Sequence, residues 1–273
     1  MSNHTREATI LLQLSDLHLR AGEDGPDLRL TRAIAAASEL RPRPRGVLLS
    51  GDIADEPAAE VYERAHRMLS EMDIPVYAIP GNHDDRDLLA KSFAGRESAT
   101  GEPVNFLANV GALRLVGCDT SVPGMVGGAL PTDQLAWLAA ALDEDPARST
   151  LLALHHPPVA CGIRAMDDIA LDEHDAARLE SLLESHPQVL AVTCGHVHRT
   201  VTTSFAGRPL LICPSTNSAL RLDLRPDERQ DAIFEEQPLG FAVHSLVDGR
   251  LVSHVQPLSS DHGAHFPESH AEA

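Results

Sequence analysis

The sequence predicts an α/β fold with mixed β-sheets in a single domain. Short apolar runs typical of strands alternate with segments of helical periodicity over most of the chain. Later in the chain, short strands follow one another at the spacing of hairpins. The length of 273 residues and the 43% of hydrophobic residues are sufficient for one large core. Because such alternation is typical of sheets covered by helices, we expect a layered α/β domain.

The first elements along the chain are three strands and two helices. We predict strands at 9–14, 46–50 and 75–79, and helices at 28–40 and 58–72. A hairpin is then predicted from strands at 104–109 and 112–117, with its turn at Val110 and Gly111.

The second half continues the alternation and then turns to short strands. Pro131 suits the first turn of a helix, so we predict a helix at 131–142. A second helix, at 175–185, lies between strands at 151–154 and 189–193. The remaining strands are expected at 201–205, 210–213, 241–246 and 251–255. Two segments are predicted as long loops, 159–175 and 215–240.

The predicted domain spans residues 1–258. Within it, the loop at 215–240 is rich in charged residues and proline, and we expect it to form a cap or a contact in a homo-oligomer. Residues 259–273 are polar and are predicted to be a disordered tail.

Charge and composition exclude several classes of partner. The formal net charge is −18, from 40 acidic and 22 basic residues, and such a surface repels nucleic acid. No apolar run approaches the roughly 18 residues of a membrane-spanning helix. The four cysteines are widely spaced and form no C-x-x-C motif, which predicts neither a disulfide framework nor a thiolate zinc site. We therefore expect a cytoplasmic protein with no nucleic-acid or membrane partner.

Five short polar clusters each follow a predicted strand. They are Asp16-Leu17-His18, Gly51-Asp52, Gly81-Asn82-His83-Asp84, His155-His156-Pro157 and Gly195-His196-Val197-His198. Each cluster alone has a structural explanation, such as a turn aspartate or a histidine at a strand end. Together they contain six of the fifteen histidines and place them where an α/β sheet gathers its ligand-binding loops. The combination of carboxylate, amide and imidazole donors without a thiolate indicates a site for Mn, Fe or Zn.

The clusters appear in the order D-x-H, G-D, G-N-H-D, H-H-P-P and G-H-x-H. This series, from Asp16 to His198, resembles the calcineurin-like metallophosphoesterase superfamily. The resemblance implies an αββα sandwich of two mixed sheets flanked by helices. It also implies two metal ions that clamp a phosphoryl group and activate a bridging hydroxide as the nucleophile.

The resemblance implies a role for each motif residue. One ion would be held by Asp16, His18, Asp52 and His198. The other would be held by Asp52, Asn82, His156 and His196, with the Asp52 carboxylate bridging both ions. His83 would protonate the leaving group or stabilise developing charge, and Asp84 would orient His83. His155 would then be structural or support the ligands.

The expected substrate is a small phosphodiester. The sequence segments around the motifs, such as LSGDIAD, IPGNHDD and CGHVH, resemble those of a bacterial subgroup of cyclic-nucleotide phosphodiesterases and glycerophosphodiesterases. These segments do not distinguish between the two substrates. The apolar segment 166–171 either closes over a small organic group or is a surface loop. Two alternatives remain open, a phosphomonoesterase of the same superfamily and a noncatalytic metal-binding scaffold. The intact donor set favours the enzyme.

Overall fold

A computed structural model describes residues 9–94, 101–225 and 232–258 of the chain. In these residues, two mixed β-sheets pack face to face and helices cover the outer face of each sheet. This four-layer arrangement confirms the predicted αββα sandwich. The predicted tail at 259–273 lies outside the described residues. Over the described residues, no helix combines the length and the apolar character needed to cross a membrane.

The first sheet has five strands. Strands β1 (Thr9–Leu14), β2 (Val47–Ser50) and β3 (Val76–Ile79) are parallel to one another. Strand β12 (Leu239–Val247) pairs antiparallel with β1, and β13 (Arg250–Leu258) pairs antiparallel with β12. The resulting order is β13-β12-β1-β2-β3.

The second sheet has six strands and is mixed in the same way. Its strands are β4 (Phe106–Val110), β5 (Leu113–Gly117), β6 (Thr150–Ala153), β7 (Val189–Cys194), β8 (Val201–Phe205) and β9 (Arg208–Ile212). Strands β5, β6, β7 and β9 are parallel, and β4 and β8 close the two edges antiparallel to their neighbours. Two-residue strands β10 (Ala219–Leu220) and β11 (Phe234–Glu235) form a separate antiparallel pair.

Four longer helices and two short ones complete the described layers. The longer helices are α1 (Asp24–Ser38), α2 (Ala59–Ser70), α4 (Thr132–Asp143) and α6 (Glu173–Glu184). The short helices are α3 (Arg86–Leu89), which continues into a π-helical turn at Ala90–Ala94, and α5 (Arg164–Asp167). Helices α1 and α2 pack on the first sheet, and α4 and α6 pack on the second.

The core follows the alternation of side chains along each strand. On β1, Leu12 and Leu14 pack against the helices, whereas Leu11 packs between the sheets. Because successive side chains of a strand point to opposite faces, a single buried strand supplies both layers.

Several boundaries differ from the prediction for physical reasons. Helix α1 begins at Asp24 and not at residue 28, because Pro26 falls in the first turn, where its missing N–H is not needed. Helix α6 begins at Glu173 because the Asp172 side chain accepts hydrogen bonds from the N–H groups of His174 and Asp175. The two predicted loops also contain structure, since α5 lies in 159–175 and the β10–β11 pair lies in 215–240.

A buried glutamine joins the two sheets. The Gln13 amide nitrogen donates to Ser50 Oγ at 2.8 Å and to the Cys194 carbonyl at 3.2 Å. Its carbonyl oxygen accepts from Thr193 Oγ1 at 2.6 Å and lies 2.8 Å from His244 Nε2. Burial lowers the pKa of His244 to about 4, so this imidazole is neutral and can donate from Nε2. The Gln13 amide therefore uses its full hydrogen-bonding capacity between β1, β2, β7 and β12.

Replacing Gln13 with leucine is expected to destabilise the fold by about 3 kcal/mol, because it leaves buried polar partners on three other strands unsatisfied. Urea unfolding followed by circular dichroism measures the change. The control is Thr203→Val on the exposed face of β8, for which we expect a change within about 0.5 kcal/mol. A loss below about 1 kcal/mol in Gln13→Leu would show that the network adds little.

Candidate metal centre

The five predicted clusters meet at one end of the two sheets. Asp16 and His18 follow β1, Asp52 follows β2, and Asn82 follows β3 in the first sheet. The histidine pair follows β6, and His196 and His198 follow β7 in the second. The carboxyl ends of parallel strands meet at the same edge, so residues far apart in sequence face one cavity.

Backbone strain is concentrated at this edge. Of the eight described non-glycine residues with left-handed φ, five belong to the predicted site: Asp16, His18, Asp52, His196 and His198. Such conformations are uncommon outside glycine and persist where the surrounding structure holds them. The loops are therefore held in an unfavourable backbone conformation that turns their side chains toward a common point.

Asp16, His18, Asp52 and His198 form the first group. Each offers one ligand atom, and these atoms lie within 4.8 Å of one another. His18 Nε2 is 3.1 Å from His198 Nε2 and 3.7 Å from Asp52 Oδ2, and His198 Nε2 is 3.6 Å from Asp16 Oδ1. All four residues are buried. Two buried carboxylates and two imidazole nitrogens around one point can hold a divalent cation.

The outer nitrogens of the two histidines are held by other groups. His18 Nδ1 lies 2.9 Å from Asp55 Oδ1, and His198 Nδ1 lies 3.0 Å from the Ser218 carbonyl oxygen. A hydrogen bond donated from Nδ1 leaves Nε2 with a free lone pair, the form that binds metal. The His18 hydrogen bond lowers the pKa of Asp55 to about 2. Sequence reasoning missed Asp55, although its position three residues after Asp52 is visible in the motif Gly51-Asp52-Ile53-Ala54-Asp55.

The second group contains three unsatisfied polar atoms. Asn82 Oδ1, His155 Nε2 and His196 Nε2 are buried and have no hydrogen-bond partner among the described residues. A buried polar atom without a partner costs about 1–3 kcal/mol, and three at one place need a common explanation. His155 Nε2 is 3.4 Å from Asp52 Oδ2 of the first group, and the ligand atoms of His155, His156 and His196 lie within 4.8 Å of one another. The donor set therefore fits a second cation.

The two adjacent histidines have different surroundings. His155 Nδ1 lies 2.7 Å from the Ser50 carbonyl oxygen, which leaves Nε2 directed at Asp52. His156 Nδ1 lies 2.8 Å from Thr120 Oγ1, and its Nε2 lies 3.2 Å from the Val126 carbonyl oxygen. Both nitrogens of His156 therefore have protein partners. The assignment of His156 as a ligand stays a prediction, and His155 is a candidate that sequence reasoning placed outside the ligand set.

The pKa values of His155 and His156 are shifted in opposite directions. Burial alone would lower the pKa of His155, but the charges of Asp52 and Asp16 outweigh it and raise the pKa to about 9. Burial, together with the charge of His155, lowers the pKa of His156 to about 3. Without a metal, His155 thus carries the positive charge beside Asp52. A metal ion bound there would replace that proton, so ion uptake would release it.

His83 lies beside both groups and is exposed to the cavity. Its backbone N–H donates to Asp52 Oδ1 at 2.9 Å, and its Nδ1 lies 3.0 Å from the Asp55 carbonyl oxygen. Its ring centroid is 4.8 Å from that of His18. The side chain is therefore anchored at Nδ1, while the ring remains accessible to a bound substrate.

The hydrogen bonds of Asp84 go to groups other than the His83 ring, and its predicted role in orienting His83 stays a prediction. The Asp84 carboxylate accepts hydrogen bonds from the N–H groups of Ile53 and Gly81 and from the Tyr62 hydroxyl. Burial and the nearby charge of Asp52 raise its pKa to about 6. Asp84 thus ties the loop after β3 to the loop after β2. The hydrogen-bond partner of the His83 ring is the Asp55 carbonyl oxygen, 3.0 Å from Nδ1.

A cavity of about 600 Å³ opens over the centre. His18, Asp52, Asn82, His196 and His198 form its floor, and His83 lies at its side. Its volume is within the range of small-molecule sites. Two groups of candidate metal ligands beside such a cavity fit a metal-dependent hydrolytic centre.

The chain belongs to the calcineurin-like phosphoesterase family, whose model matches residues 10–200. A probable glycerophosphodiester phosphodiesterase of Arcobacter nitrofigilis is 35% identical over 235 residues, which cover 83% of this chain and 85% of that protein. A 3′,5′-cyclic adenosine monophosphate phosphodiesterase of Pseudomonas aeruginosa is 32% identical over 228 residues, which cover 79% of this chain and 81% of that protein.

A solved structure shows the same fold. The dimetal phosphatase from Danio rerio superposes with a TM-score of 0.67 at 19% identity, covering 92% of this chain and 96% of that one. The likeness confirms the layered architecture of two mixed sheets flanked by helices.

Proposed function

We propose that this protein hydrolyses a small phosphodiester, either a 3′,5′-cyclic nucleotide or a glycerophosphodiester, with two divalent metal ions. The observation that carries the proposal is a set of three buried atoms without a hydrogen-bond partner, Asn82 Oδ1, His155 Nε2 and His196 Nε2, of which His155 Nε2 lies 3.4 Å from the Asp52 carboxylate. A second group of ligand atoms, from His155, His156 and His196, lies within 4.8 Å of one another beside the first group, and this proximity supports two cation positions that share Asp52. The names of the relatives support the choice of a diester.

We propose the following ligands. Asp16, His18, Asp52 and His198 hold one ion, and Asp52, Asn82, His196 and one histidine of the adjacent pair hold the other. Within that pair, we favour His155 as the ligand over His156, because its Nδ1 is held by the Ser50 carbonyl oxygen and its Nε2 is directed at Asp52. Bound ions would neutralise phosphate charge and lower the pKa of water to supply the nucleophile. They would also provide local positive charge in a protein with a net charge of −18.

His83 is proposed to move the proton to the leaving group. As an imidazolium, it can keep donating from Nδ1 to the Asp55 carbonyl oxygen while Nε2 presents its proton to the cavity. Asp55 positions two imidazoles at once, since its carboxylate lies beside His18 and its backbone oxygen lies beside His83. Proton transfer from a positioned side chain then assists departure of the alcohol.

The proposed activity is tested by direct comparison of substrates. The manganese-loaded protein is assayed with cyclic AMP, with glycerophosphoethanolamine and with glycerol 3-phosphate as a monoester control. A kcat/KM of about 10⁴ M⁻¹s⁻¹ or above for one diester is expected, with a much lower value for the monoester. Absence of metal-dependent diester cleavage, or preference for the monoester, would overturn the proposal.

The ligand assignment at the histidine pair is tested by metal content. We expect His155→Ala to retain one ion per chain, because one site loses a ligand whose Nε2 is directed at the Asp52 carboxylate. We expect His156→Ala to retain two, because both His156 nitrogens already contact protein atoms. Inductively coupled plasma mass spectrometry after dialysis gives the stoichiometry. The opposite pattern would support His156 as the ligand.

A further inference from the structure

A short antiparallel pair of strands, β10 and β11, lies beside the cavity above the metal centre. Leu220 on β10 lies opposite Phe234 on β11, and the Leu220 N–H donates to the His198 carbonyl oxygen at 3.3 Å. The Arg221 N–H donates to the Ile233 carbonyl oxygen at 2.8 Å, which continues the pairing. The strand pair is therefore attached directly to the loop that carries a predicted metal ligand.

Phe234 is an exposed aromatic residue that lines the cavity beside the predicted metal ligand His198. Its side chain is 48% exposed, although it belongs to an ordered pair of strands. Its ring centroid lies 4.9 Å from that of His198, with 61° between the ring planes. One part of the ring is thus fixed against the metal centre, while the remainder faces the cavity. Exposed aromatic surface beside a reaction centre is available for binding a substrate.

The cavity wall above the centre has an apolar part and a polar part. Val126, Met166, Ile169 and Ala232 line it together with Phe234. Polar residues Arg29 and Asn217 also line it, and Arg29 Nη1 donates to Asn217 Oδ1 at 2.8 Å. A glycerol or ethanolamine group has no flat apolar face to bury here. A nucleobase has such a face, and its edge carries acceptors that can bond to guanidinium and amide N–H groups.

We propose that Phe234 and the apolar residues that line the same cavity form a subsite for a nucleobase, so that the protein selects nucleoside-derived diesters over glycerol-derived ones. The inference rests on the proposed phosphodiesterase function and adds recognition of the base of a nucleoside-derived substrate. The phosphate lies over the metal centre, and the base stacks on the Phe234 ring. Arg29 and Asn217 line the same cavity and would contact the edge of the base.

The test compares two diesters in three variants. Phe234→Ala is expected to lower kcat/KM for cyclic AMP about 10-fold to 100-fold, mainly through KM, as expected for loss of one base–aromatic stacking contact. The loss for glycerophosphoethanolamine is expected to be at least fivefold smaller, because that substrate has no base. Phe234→Leu, which keeps apolar bulk beside His198 without a ring, is expected to give an intermediate selectivity. Ile233→Ala is the matched control, since Ile233 is 49% exposed in the same segment and lies outside the cavity wall.

The possible results distinguish failure of the nucleobase subsite from failure of the proposed phosphodiesterase function. Equal losses for both diesters in Phe234→Ala would show that the ring only supports His198, and would overturn the subsite. If the manganese-loaded wild-type protein cleaves no diester, the proposed function fails, and the subsite is judged by calorimetric binding of both compounds to that same manganese-loaded protein. Tighter binding of cyclic AMP than of glycerophosphoethanolamine, weakened in Phe234→Ala, would support it. Equal binding in wild type and Phe234→Ala would reject it.

Discussion

Replacing Asp52 with alanine is expected to remove both metal ions and to lower kcat for diester hydrolysis by more than about 10³-fold. The Asp52 carboxylate lies between the two groups of ligands, 3.7 Å from His18 Nε2 and 3.4 Å from His155 Nε2. Loss of one shared ligand weakens both sites, and the ions provide several kcal/mol of charge stabilisation in the transition state. Metal content and the rate at saturating manganese measure the two effects.

Two control variants distinguish the effect of losing the Asp52 carboxylate from the effect of backbone strain at that position. Asp52 has φ of 52°, and alanine is strained in that conformation. Asp73 is an exposed aspartate outside the site with φ of 50°, so Asp73→Ala carries the same backbone strain without loss of a proposed ligand. Asp52→Asn tolerates the left-handed conformation and removes only the charge. If Asp52→Ala retains two ions per chain, the bridging assignment is wrong.

Replacing His83 with alanine is expected to lower kcat about 10²-fold to 10⁴-fold while both ions remain bound. This range corresponds to the loss of a general acid. The hydrogen bond to Asp52 Oδ1 comes from the His83 backbone N–H, so it survives the substitution. Metal content should therefore match the wild type. Steady-state kinetics with an alkyl diester, together with the metal analysis, measures the effect.

The leaving group provides a further readout for His83. An aryl diester such as bis(p-nitrophenyl) phosphate releases a stable anion that needs little protonation, so we expect the His83→Ala loss to be much smaller with this substrate. His174→Ala, at an exposed histidine on α6, is the matched control. Equal losses with alkyl and aryl diesters would exclude proton transfer to the leaving group. Wild-type turnover in His83→Ala would remove the residue from the mechanism.

Some elements were predictable because their pattern is local. Strands β1, β2 and β7 are short apolar runs that are buried on both faces, and their ends are marked by polar residues. The β10–β11 pair has only two residues in each strand, and contacts with the His198 loop help to hold it. No periodicity can show so short a pair. The start of α1 was also hidden, because Gly25 and Pro26 indicate a turn when they are considered without the rest of the helix.

The sequence by itself determined the fold class, the donor residue types and the family, because those depend on short motifs placed directly after strands. Only the tertiary structure decided which nitrogen of each histidine points inward. His155 is directed by a carbonyl 105 residues away, at Ser50, and His18 by Asp55. It also showed that Asp84 joins two loops and that Phe234 faces the cavity. These orientations follow from hydrogen bonds and packing between distant segments, which local sequence patterns do not encode.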